Sequence, residues 1–173
     1  MFKSFKSSLN SVKLKSAAAA TACLLTFASQ ASAATTTSNF TVQITIAAAC
    51  TITSATTLDF GSQGLLTANV DQTSTIQVQC TNTTAYNIGL NAGTGAGATV
   101  AVRKMTNGGN TINYSLYRDA GHTNVWGTTI GTDTVAATGN GAPQSYTVYG
   151  RVPPQTTPAP ALYTDTITVT VTF

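Results

Sequence analysis

The side chains able to do chemistry are few, and their spacing does not draw them together. Cys50 and Cys80 are the two thiols that could react with each other, Cys23 lying far upstream. In an exported chain such a pair is most simply one disulfide. It would close a loop of about 30 residues, worth roughly 3 to 4 kcal/mol in the chain-entropy account. Zinc would need two further ligands, and there is one histidine, His122, and no second cysteine pair. His122 follows Gly121 beside a turn, with no nucleophile motif or acid partner near it in sequence, and reads as a surface-loop histidine. Asp119 and Asp165 could act as general acid and base only if the fold joined them; turn and strand-end roles suit them better. Asp59-Phe60-Gly61 has the letters of a kinase magnesium motif but no phosphate loop or catalytic loop accompanies it. Asn91 to Gly97 is glycine-rich with no Gly-Lys-Ser/Thr after it, which fits a hairpin turn. Trp126, Tyr114, Tyr117, Tyr146 and Tyr149 could line a sugar-binding face, but aromatics also fill sandwich cores, and core packing is the expectation. No catalytic residue, cofactor or metal site emerges.

Charge and the N-terminal run define the compartment. Lys3, Lys6, Lys13 and Lys15 precede an apolar run from Ala17 to Phe27, and Ala31-Ser32-Ala33 follows. A charged head, a short apolar centre and an A-x-A exit form a cleaved secretory signal peptide over 1–33. The run is too short to span a bilayer, which takes roughly 20 apolar residues. Beyond residue 33 the bases are Arg103, Lys104, Arg118 and Arg151, against Asp59, Asp71, Asp119, Asp133 and Asp165. The formal +3 of the whole chain therefore belongs to the leader. Four scattered bases make no basic stripe, which excludes nucleic acid as a partner.

The elements that position these residues are strands. Threonine, which is β-branched, is abundant, and glutamate is absent. Apolar and polar residues alternate in Ile76-Val78-Cys80, Tyr86-Ile88-Leu90, Val100-Val102, Ile112-Tyr114-Leu116, Tyr146-Val148 and Ile167-Val169-Val171-Phe173. This is the pattern of half-buried antiparallel strands. Turn chemistry separates them at Asn91–Gly97, Asn107–Asn110, Asp119–Gly121 and Gly139–Gly141. Pro153, Pro154, Pro158 and Pro160 mark a stiff loop before the last strand. The fold class is all-β, a sandwich of seven or so strands.

Two terminal strands stand apart. Residues 38 to 47 alternate Phe40, Val42, Ile44 and Ile46 with Thr41, Gln43 and Thr45, outside the Cys50–Cys80 loop. The last strand, 166 to 173, ends on an aromatic. If the sandwich lacks a closing edge strand, its core has an open groove that the first strand of another copy could fill.

Landmarks along the chain resemble the spore coat protein U domain family, which includes Csu-type (archaic) chaperone–usher pilus subunits. They are Cys50-Thr51-Ile52 with Leu58-Asp59-Phe60-Gly61, then Gln77-Val78-Gln79-Cys80 and Tyr86-Asn87-Ile88-Gly89-Leu90. Arg103-Lys104-Met105, Ile112-Asn113-Tyr114-Ser115-Leu116-Tyr117-Arg118-Asp119 and Trp126-Gly127 follow. Tyr146-Thr147-Val148-Tyr149-Gly150-Arg151-Val152-Pro153 and Tyr163-Thr164-Asp165 lead to the final strand. Pro154 and Ala161-Leu162 stand where the family commonly has glycine. The resemblance implies an incomplete immunoglobulin-like sandwich over 49–173, completed by donor-strand addition from residues 34–48 of a neighbour. It implies Phe40, Val42, Ile44 and Ile46 as donor side chains, and Ile167, Val169, Val171 and Phe173 as the contact with a periplasmic chaperone. The partners implied are homologous pilus subunits, that chaperone and an outer-membrane usher. The role implied is a cell-surface fibre supporting adhesion and biofilm formation. A self-contained secreted adhesin or carbohydrate-binding sandwich, and a spore coat protein, are the alternatives.

Overall fold

A computed structural model describes residues 32–173; the signal-peptide reading of 1–33 lies, save for its last two residues, outside the described residues. The chain divides into two units, Met1–Gln43 and Ile44–Phe173. Residues 32–43 of the first form no strand and are exposed. All eight strands belong to the second.

They are β1 (Cys50–Ala55), β2 (Val70–Cys80), β3 (Ala85–Leu90), β4 (Arg103–Asn107), β5 (Asn110–Tyr117), β6 (Val135–Thr138), β7 (Pro143–Val152) and β8 (Val169–Thr172). β1-β2-β7-β5-β4 form one sheet and β6-β3-β8 the other. Every pairing is antiparallel. Period-two alternation does what it predicts. Ile76, Val78 and Cys80 of β2 are buried, as are Ile88 and Leu90 of β3, Leu116 of β5, and Val148 and Val152 of β7. Each such side chain contributes roughly 1.5 to 3 kcal/mol on leaving water. Trp126 lies between the sheets at 1% exposure. Its indole N–H donates to the Ile88 carbonyl at 2.8 Å and its backbone N–H to the Leu116 carbonyl at 2.8 Å, so one residue ties β3 to β5.

The disulfide joins Cys50 and Cys80, the first residue of β1 to the last of β2, which are also register partners. Ala49 extends the same pairing: its N–H donates to the Thr81 hydroxyl and its carbonyl accepts from the Thr81 N–H.

Three expected elements differ. Residues 38–47 form no strand. Val100 and Val102 fall in the loop before β4, where Arg103 rather than a valine takes the buried position. The last strand is shorter than 166–173, with Ile167 and Phe173 outside β8. β1 and β6, with weak alternation, went unread in the sequence.

Candidate functional site

The sandwich is open on one side. A groove of about 940 Å³ runs between the inner face of the large sheet and β8. Its floor is Ile76 of β2, Val148 of β7 and Tyr114 and Leu116 of β5; Leu58, Phe60 and Leu66 of the β1–β2 loop form one wall, and Ile167 and Val169 the other. These side chains belong to the core or pack against it, so the groove reaches down to buried hydrophobic core, its floor residues 3 to 5% exposed. Gly150 lets the wall approach: a Cβ there would sit 2.7 Å from Leu58 Cδ1 and 3.0 Å from Phe60 Cζ.

β8 offers backbone as well as side chains. It pairs with β3 on one edge, and among the described residues no strand pairs with the other. Which groups are free follows from alternation. The Asn91 N–H donates to the Thr168 carbonyl at 3.2 Å, and the Thr168 N–H to Asn91 Oδ1 at 2.9 Å. Thr168 therefore faces β3, as do Thr170 and Thr172, the register partners of Gly89 and Asn87. The N–H and C=O groups of Ile167, Val169, Val171 and Phe173 point to the free edge. Ile167, Val169 and Val171 are half-buried and Phe173 is exposed.

A polar brace fixes this edge from behind. Arg103 is fully buried with no carboxylate in hydrogen-bond contact, and burial depresses the pKa of its guanidinium. It donates instead to four carbonyls: Asn91 at 2.8 Å, Val100 at 2.7 Å, Leu90 at 3.0 Å and Trp126 at 2.6 Å. That holds the end of β3, from which Asn91 Oδ1 reaches both Thr168 and the Gly93 N–H. Asp165 continues the brace. Its carboxylate accepts from the Tyr114 hydroxyl at 2.7 Å, and from the Thr94 N–H and hydroxyl at 2.7 and 2.9 Å. Burial, with that bond to Asp165, pushes the Tyr114 phenol well above its ordinary value. Gly93, at φ +83°, lies directly against the Asp165 carboxylate. The sequence marks Asp165 as a strand-end residue, Tyr114 as core and Asn91–Gly97 as a hairpin turn, and gives Arg103 no role. The one available signal is an arginine that directly follows the apolar Val100-Ala101-Val102 in a chain of few charges.

The other sequence candidates separate. Phe40, Val42, Ile44 and Ile46 are 87, 83, 84 and 72% exposed. Asp119 closes its own loop: partial desolvation works against it, but donors from Asn124 and Thr123 hold its pKa down at about 2. Asp165 sits in the brace, so the two carboxylates occupy separate networks. His122 is corrected: it is not an open surface residue. Its side chain is 8% exposed, packed edge-on to Tyr117 and Tyr149 on the outer face of the large sheet, with Nε2 3.8 Å from Asp71 Oδ1. Of the aromatics, Trp126 and Tyr114 are core; Tyr146 packs against it; Tyr117 and Tyr149 lie outside under His122. Among the described residues no three His, Cys, Asp or Glu side chains gather as metal ligands.

Comparison with known proteins adds three findings. The chain is similar to a chain in the crystal structure of a chaperone–tip adhesion subunit pre-assembly complex from the archaic chaperone–usher Csu pili of Acinetobacter baumannii. The TM-score is 0.55 at 20% identity, covering 75% of this chain and 41% of that one, so this chain spans less than half the length of its structural neighbour. That likeness is one of fold, an immunoglobulin-like sandwich of two sheets. No curated protein matches. The sequence profile of the Spore Coat Protein U domain matches residues 36–170, nearly the whole of the described chain, and the protein belongs to that family.

Proposed function

We propose that this protein is a structural, non-catalytic subunit of a surface fibre of the chaperone–usher kind, joined to its neighbours by donor-strand addition. The observation that carries the reading is the core-lined groove beside the free edge of β8, in a chain whose residues 40–46 carry four exposed, alternating apolar side chains. Phe40, Val42, Ile44 and Ile46 of one copy fill the groove of the next, and the segment's backbone pairs with Ile167, Val169, Val171 and Phe173. Joining identical units head to tail does not close, so it yields a filament. Before assembly, a periplasmic chaperone covers the same groove and edge; the structural neighbour, a chaperone–subunit complex, supports this partner. Cleavage of residues 1–33, release at an outer-membrane usher and display at the cell surface, in adhesion and biofilm growth, complete the reading.

The test is an unboiled denaturing gel of material sheared from cells. The full chain gives a ladder that collapses to one band on boiling, and deletion of 34–47 removes the ladder while leaving chaperone binding intact. A ladder from the deletion refutes donor-strand joining. Val169→Lys, which places an ammonium in the groove wall, abolishes chaperone capture; normal periplasmic yield of that variant would refute the chaperone assignment.

A further inference from the structure

We infer that the Cys50–Cys80 disulfide routes tension on a subunit's own N-terminal segment away from the groove with which that subunit grips its neighbour. The inference rests on the fibre reading above and goes beyond it, since static closure of a loop would serve any exported domain.

In a fibre each subunit is loaded at two places, at the root of its own donated segment and at its groove. The root is Ala49–Cys50, held against Thr81 and Cys80. Cys50 opens β1, an edge strand of 6 residues that pairs with β2 alone and carries a register irregularity between Ile52 and Ser54. β1 runs straight into the groove wall: Ala55, Thr56, Leu58 and Phe60 all line the groove. Without a cross-link, a pull at Cys50 acts along β1. Just past its far end, Ala55, come Leu58 and Phe60, which seat against Gly150, so peeling β1 draws the wall off the occupant.

With the cross-link, the load passes from Cys50 to Cys80 and into β2. That strand is paired on both sides, with β1 and along Val70 to Gln79 with β7. The bridge sits at the first register pair of β1, so a pull from the N-terminal side crosses only the Ala49–Thr81 bonds before it reaches the cross-link. It therefore short-circuits β1 and the groove wall together.

A purely static disulfide and a load-bearing one differ in when they matter. Fibres are assembled oxidised, sheared from cells and divided. One half is reduced with dithiothreitol in mild urea and alkylated, with the two blocked thiols counted by mass. Both halves are then held under constant tension in optical tweezers, and both are run unboiled on a denaturing gel. Reduced fibres break under tension about tenfold sooner or more, the factor that accompanies ~1.4 kcal/mol of lost grip, while their unloaded ladder is unchanged. Equal lifetimes under tension overturn the inference. So does a ladder that falls apart without load, since that marks general destabilisation. If buried Cys80 resists reduction, fibres of the double variant Cys50→Ser, Cys80→Ala take the place of the reduced half. No ladder from oxidised wild type removes the fibre reading itself, whereas a normal ladder with tension lifetimes indifferent to the disulfide removes only this inference.

Discussion

Replacing Gly93 by alanine tests whether the brace behind β8 works as described. Gly93 has φ +83°, where an L side chain costs roughly 1 to 2 kcal/mol. The added Cβ would also sit 2.6 Å from Asp165 Cγ, so the carboxylate must swing away. It then loses the Tyr114 hydroxyl and the Thr94 donors. Hydrogen bonds to a charged group are worth about 1.5 to 3 kcal/mol each, and Asp165 is only half-buried, which places the three at the low end. Gly93→Ala should destabilise by about 5 to 7 kcal/mol in total. Trp126, the one tryptophan and nearly fully buried, reports unfolding by fluorescence. In urea, with a slope of roughly 1 to 3 kcal/mol per molar, the midpoint should fall by about 3 M. The deciding background is Asp165→Ala. There the clash and the bonds are already gone, so adding Gly93→Ala should cost only the backbone part, about 1 to 2 kcal/mol. If Gly93→Ala costs the same on both backgrounds, the carboxylate is not what demands glycine and the brace is wrongly assigned.

Two other perturbations follow from the same geometry. Arg103→Met leaves the carbonyls of Asn91, Val100, Leu90 and Trp126 without their donor and should cost about 3 to 5 kcal/mol. Arg103→Lys should rescue little, since an ammonium cannot reproduce the planar fork; rescue in the urea titration refutes the account. Asp119, at about 2 in the fold against an ordinary 3.8, has a depressed folded value. Its contribution is therefore present above about pH 4 and is lost as pH falls toward 2. Asp119→Ala should flatten the stability–pH curve in that window and nowhere else, and an unchanged slope in acid refutes the role given to its loop donors.

Strand pattern was legible wherever one face met the core. Ile76-Val78-Cys80 and Tyr86-Ile88-Leu90 lie inside on alternate residues as read, because a side-chain period of two cannot be satisfied in another register without exposing the whole face. The pairing of Cys50 with Cys80 was legible by elimination of other ligands. The brace was not. Arg103 takes a core position that a pattern of apolar residues cannot announce, and its partners are main-chain carbonyls, which carry no sequence signature. Asp165 and Gly93 become neighbours only through the fold, 71 residues separating Asp165 from Thr94, which shares the carboxylate. His122 misled for the same reason: Asp71, Tyr117 and Tyr149 come to it from three different strands.

Whether side chains or backbone hold the proposed joint can be separated at one residue. Four apolar side chains at roughly 1.5 to 3 kcal/mol each give on the order of 6 to 12 kcal/mol. Association costs an estimated 4 to 15 kcal/mol, so side-chain burial alone leaves little surplus, and the pairing with β8 must supply the rest. At β8 and just before it, the residues whose side chains face the groove, Ile167 and Val169, are those whose N–H and C=O face the free edge. In an antiparallel pair, the arrangement proposed for the joint, opposed residues share both a face and a hydrogen-bonding direction. The inward residues of the donated segment therefore also aim their backbone at β8. Ile44→Ala removes a side chain and keeps its N–H, whereas Ile44→Pro removes the N–H as well. Ile44→Ala should shorten the unboiled ladder by weakening the joint about 2 to 5 kcal/mol, as for other large-to-alanine changes at packed sites, and Ile44→Pro should abolish the ladder. If the two variants give the same ladder, the backbone bond at this residue contributes nothing, and the free edge of β8 is not where the segment pairs.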